Sequence, residues 1–212
     1  MATARTWRSQ AFFGASVVGF GVLVIAAFVV AARVLDRSFR YFSKEPAETL
    51  EAAPYVGWFA HGTSMVWAVG GVCALLAGLV LWRVVERREL ARFLLAGGLL
   101  TAVMVADDFF LLHDGVYAKV GIPEELVYGL YGLGAVALAW RWRQEILQRD
   151  ALLFALAVLA WGASVGSDFV QETTGRHLHV WEDGAKFLGV LLWSTFFVRT
   201  AVLSLTAELD RA

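Results

Sequence analysis

The chain reads as an all-α polytopic membrane protein, with six transmembrane helices in one domain over residues 1–212. Three observations predict this. Hydrophobic residues make up 59% and charged residues 17%, against roughly 25% charged in a soluble domain. The apolar residues fall in long blocks, each near the roughly 20 residues that cross about 30 Å of hydrocarbon. The blocks are continuous rather than alternating. Helices therefore carry the backbone through lipid, where every N–H and C=O must be paired internally. The same composition excludes a disordered chain, a fibrous repeat and an ordinary water-soluble enzyme.

The spans are expected at about residues 11–34, 55–85, 90–113, 126–142, 151–172 and 180–205. The first is too long for a signal-peptide core and lacks a convincing cleavage site, so it is kept as a span. Arg33, Arg37 and Arg40 follow at helical spacing, which predicts that this helix continues out of the membrane. The second carries His61 with Ser64 one turn deeper. The third ends in Asp107, Asp108, His113 and Asp114. The fourth is the shortest. The fifth ends in Asp168 and Glu172, and the sixth opens with Glu182, Asp183 and Lys186. Cys73 is the only cysteine, so no intrachain disulfide exists, and it sits inside an apolar run.

Orientation follows the Lys and Arg of short loops. With the N-terminus inside, 11 arginines lie on the inner side against 6 basic residues in the outer loops, which predicts an inner-membrane protein with both termini in. The acids show the opposite bias, and all four histidines fall on the outer side. Charge is otherwise balanced at a net −1. No basic excess points to nucleic acid, and the bilayer is the first partner. Another copy of the chain, or a larger membrane complex, would be the second.

Spans three and four resemble spans five and six. Asp107-Asp108-Phe109 matches Ser167-Asp168-Phe169, and each is followed by an acid pair opening the next helix, Glu124-Glu125 and Glu182-Asp183. The first hairpin echoes this faintly in Asp36 and Glu51. Three repeated helical hairpins are the expectation.

The chemistry-bearing residues gather toward the outer ends. Intramembrane acids are costly, about 2.5–3.5 kcal/mol at the helix centre, and usually face a cavity or a partner. If the third helix runs to His113, Asp107 and Asp108 lie two turns below its end. Asp168 and Glu172 are four apart and stack on one helix face, where two like charges call for a shared cation or proton. Lys186 is one turn beyond Glu182 and three residues beyond Asp183, so a pair with Asp183 inside its own helix is expected. The sharper reading takes it across the bundle to Asp108 or Asp168. Histidine with carboxylate suits zinc, and carboxylates with carbonyls suit calcium. Asp107, Asp108, His113, Asp168, Glu172, Glu182 and His61 are accordingly the candidate ligands of a divalent ion. The inner halves of the spans carry almost no polar side chains, so no path through the membrane is visible.

The expected function is an outward-facing acidic site that binds, senses or transports a cation. Two other classes fit the same residues. One is a membrane-embedded metal-dependent hydrolase acting on lipid, with His61, His113, Asp108 and Asp168 as ligands. The other is a non-catalytic subunit of a membrane complex. No phosphate-binding glycine loop and no Gly-x-Ser-x-Gly elbow is present.

Overall fold

The computed structural model of the chain describes residues 18–19, 22–23, 25–27, 29–39, 50–53, 55–174 and 179–211, without the side chains of Val85, Asp114, Asp168, Glu172 and His179. The described residues are helical and include no strand. The chain forms two compact units, Met1–Val56 and Gly57–Ala212. Residues 11–17, 20, 21, 24 and 28 of the first expected span lie outside the described residues.

In the first unit an apolar helix, Ile25–Val34, stops sooner than the arginine spacing suggests. Asp36 is left-handed at φ 50°. Its N–H donates to the Arg33 carbonyl at 3.3 Å, and the Arg37 N–H donates to the Ala32 carbonyl at 2.8 Å. This paired 5→2 and 6→1 pattern closes a helix C-terminus. The acid at position 36 tolerates that conformation better than most residues, so the helix ends before Arg37.

The second unit contains α1 (Trp58–Leu81), α2 (Arg88–Phe109), α3 (Glu124–Arg141), α4 (Arg143–Leu147), α5 (Ala151–Thr174) and α6 (His179–Leu209). Four helices are long and apolar enough to cross a membrane: Trp58–Leu81, Arg88–Phe109, Ala151–Gln171 and Val180–Leu209. They mark the chain as a membrane protein. Their outward faces expose large apolar side chains, among them Val69, Leu76, Leu99, Leu152 and Leu159, as a lipid-facing surface does. The fourth expected span corresponds to α3. Its 18 residues include Glu124 and Glu125 in the first turn and Arg141 in the last. With these three charged residues it is not among the helices that are long and apolar enough to cross a membrane.

Helix α1 lies against both α2 and α6, and α5 packs along α6; α3 touches α2 over only a few residues. Trp193, Phe93, Phe196 and Phe197 are fully buried at the centre. The Phe93 and Phe197 rings stack at 5.6 Å, and Trp161 meets Trp193 at 4.8 Å. Trp67, the third deep tryptophan, joins them 5.4 Å from Trp161. Lipid tails are as apolar as leucine, so van der Waals fit between helices replaces the hydrophobic force. Close approach is then at a premium. A Cβ on Gly70 would stand 2.6 Å from the Ser194 Cα, which fixes how near α1 comes to α6. Gly129 and Gly132 face open space. Cys73 is unpaired and half-buried.

At the end where α1 and α6 finish, ion pairs tie elements together. Arg87 reaches Glu208 at 2.6 Å, Arg199 reaches Asp150 at 2.9 Å and Arg141 reaches Glu89 at 3.1 Å. Each of these three pairs joins two different elements.

Candidate functional site

At the end where α1, α3 and α6 begin and α2 stops, the helices enclose a cavity of about 440 Å³. Helical spacing aims the side chains. His61 and Ser64 are three apart on α1, following Gly57 and Ala60 at its start. Glu124 and Tyr128 are four apart on α3, and Glu182 and Lys186 four apart on α6. Each pair therefore shares a face. Asp108 and Phe109 complete the lining from the last turn of α2, and Leu111 and His113 from the segment after it.

The end of α2 decides the geometry. The helix stops at Phe109, four residues before His113. Leu111 is left-handed at φ 49°, and a π-type turn runs over Leu112–Tyr117. The chain folds back, and His113 Nδ1 reaches Asp107 Oδ2 at 2.9 Å. Both are buried, at 6% and 2% exposure. Asp107 and Asp108 therefore lie in the final turn of α2, not two turns below its end. The fold-back buries Asp107, not depth along the helix. On its other side His113 Nε2 stands 3.8 Å from Glu124 Oε1.

A left-handed non-glycine residue costs about 1–2 kcal/mol, and such strain clusters at functional sites. Leu111→Gly should therefore melt no lower than the parent, because glycine takes that φ freely. Leu111→Val should melt several degrees lower, since a branched β-carbon fits it worst. Equal melts for the two variants would remove the strain.

The neighbouring acids diverge. Asp107 turns to His113, whereas Asp108 accepts from Ser64 Oγ at 2.8 Å and from the Lys186 ammonium. Tyr128 donates to Glu124. Gln171 of α5 donates to Glu182 Oε2 at 2.6 Å, and buried Ser164 donates to the Glu182 backbone carbonyl at 3.0 Å. Each lining carboxylate thus has a donor oriented on it.

Of the residues singled out from sequence, the structure brings His61, Asp108, His113, Glu182 and Lys186 to one cavity, with Asp107 behind His113. Lys186 goes across the bundle to Asp108 rather than along its own helix to Asp183, which is exposed. Asp168 and Glu172 lie on α5, and their side chains are outside the described residues. Ser64, Glu124 and Tyr128 enter the site without having stood among the candidate ligands. The signal for them was their spacing from His61 and from the start of α3. Among the described residues, no group of three or more His, Cys, Asp or Glu side chains converges so as to hold a metal ion.

The model of one protein family, described as a domain of unknown function (DUF8692), matches residues 17–200. No curated protein and no solved structure matches the chain.

Proposed function

We propose that this chain, which belongs to the family described as a domain of unknown function (DUF8692), is an integral membrane protein whose acidic pocket binds a cation, in the service of ion binding, sensing or transport. One observation carries the reading: the carboxylates of Asp108, Glu124 and Glu182 line one cavity. Like charges held close together repel and are relieved by a cation or by protons. Asp107 adds a fourth acid just behind, engaged by His113.

A stabilising cation should raise the melting temperature of the detergent-solubilised protein, by about 2.7 kcal/mol of stability at a hundredfold excess over Kd. The series to test is calcium, zinc, manganese, potassium and ethanolamine, each with a chelator or buffer control. The Glu124→Gln/Glu182→Gln variant should lose whatever shift the parent shows. A parent melt that no cation moves would sink the reading.

The same proposal has six spans arranged as three repeated hairpins in an inner membrane, with both termini inside and the pocket outside. Glu124 and Glu182 stand at equivalent places of that repeat, each at the start of the helix after an acid-ended one. In a Cys73→Ala background, a cysteine at position 118 should label from outside and one at 147 should not. The reverse pattern would invert the orientation.

A further inference from the structure

We infer that the bundle seats the phosphate of an anionic phospholipid at the end where α1 and α3 finish and α2 begins. This is the end away from the cavity, and the site does not depend on the cation reading. The segments there, residues 82–92 and 140–143, carry six arginines against two glutamates. Their arrangement, beyond this excess, points to a ligand. Arg92 of α2 donates to Glu89 and lies over the Trp82 ring, 5.8 Å from its centroid. Arg141, the last residue of α3, donates to the same Glu89 at 3.1 Å and lies over Trp142 at 5.0 Å. Arg143 lies over Trp140 at 5.4 Å. One carboxylate thus serves two guanidinium groups, and the cluster keeps a positive excess.

The stacking decides what that excess can do. An indole face holds a guanidinium without taking an N–H. Each guanidinium has five N–H donors, and Glu89 receives one from Arg92 and one from Arg141. All three arginines are exposed. The planar fork of such a group matches two phosphate oxygens at once, which a lysine ammonium cannot copy.

The surface beneath the indoles selects a lipid over a free phosphate. Leu79 stands three residues before Trp82, and Val136 and Leu133 stand four and seven before Trp140, all of them exposed. On a helix these spacings share a face. An apolar column therefore leads from each indole toward the middle of the bundle, where acyl chains lie when a headgroup meets the arginines. Indoles sit at headgroup level in membrane proteins, and basic surfaces between helices take acidic headgroups there.

The test compares melts of the full chain in nanodiscs of phosphatidylcholine and of equal parts phosphatidylcholine and phosphatidylglycerol. The anionic discs should raise the melting temperature by about 5 °C. Arg92→Lys/Arg141→Lys/Arg143→Lys keeps the charge and should lose most of that gain. Each gain is a difference between two discs for one protein, so a variant's own stability cancels. Arg143→Lys leaves both Glu89 pairs intact and should lose part of the gain, which keeps the test open if the triple variant does not fold. Excess inorganic phosphate in the phosphatidylcholine discs, at matched ionic strength, should not reproduce it. A parent that melts alike in both discs would overturn the inference. A gain kept whole in the lysine variants would mean a diffuse basic surface and overturn it too. A gain reproduced by inorganic phosphate would make the occupant a free anion, and the lipid assignment would fall.

Discussion

Lys186→Met is expected to lower the stability of the folded protein by about 3 kcal/mol, read as a lower midpoint of unfolding in detergent. Asp108 sets the size of the effect. Its side chain is 13% exposed, and it receives the Lys186 ammonium and the Ser64 hydroxyl. Removing one partner of a buried pair strands the other charge, at about 3–5 kcal/mol. The lysine side chain is 38% exposed, so the lower end of that range applies. The stranded acid, not the lost attraction, is the main cost. Lys186→Met/Asp108→Asn should therefore recover most of the loss, since the amide needs no counter-charge and can still meet Ser64. If the single variant melts like the parent, water reaches the pair and the ammonium is not needed to neutralise Asp108. If the double variant is as unstable as the single, the loss comes from the methionine packing badly.

How much of this was legible in the sequence differs by level. The four long apolar helices after residue 57 were, because apolar blocks of span length have few alternatives in lipid. Their ends were less so. The run of apolar residues from Phe109 to Leu112 contains no glycine or proline, yet α2 stops there, and Leu111 takes a left-handed turn without a residue suited to it. Local propensity gives no warning. The contact that rewards the turn, His113 on Asp107, is tertiary. Side-chain pairing within one helix was visible as spacing, as in Glu124 with Tyr128. Pairing between helices was not. Asp183 is nearer to Lys186 in sequence, but Asp108 is the partner that a bundle places beside it. Burial decides this, because a buried acid needs the cation more than an exposed one does. The divergence of Asp107 from Asp108 follows from the roughly 100° step between consecutive helix residues. Which of the two met His113 depended on the fold-back and could not be read beforehand.

Trp193→Ala should cost more than any other single change in the bundle, about 3–5 kcal/mol. Trp193 has no exposed surface, and its ring meets Phe154 at 5.2 Å, Trp161 at 4.8 Å and Phe197 at 5.0 Å. Each neighbour sits on an element that cannot move alone. Phe197 is seated over Gly97 of α2, and Trp161 over Gly189 of α6. The gap would therefore stay open instead of collapsing. In a membrane that cost is lost packing rather than lost transfer from water, because the unfolded helices remain in lipid. The indole N–H adds a second part, which can be measured by itself. It donates to Thr101 Oγ1 at 2.8 Å, while that hydroxyl donates to the Gly97 carbonyl at 2.7 Å. Thr101→Val keeps the volume and strands the N–H in an apolar site, for about 1–3 kcal/mol. Trp193→Phe removes the donor and leaves Thr101 bonded to Gly97, so it should cost less than the alanine variant. Unfolding in a denaturing detergent, followed by tryptophan fluorescence and helix content, gives all three values. A loss under about 1 kcal/mol for Trp193→Ala would mean that the surrounding rings close over the gap. The close helix approach at Gly97 and Gly189 would then not be held by this ring.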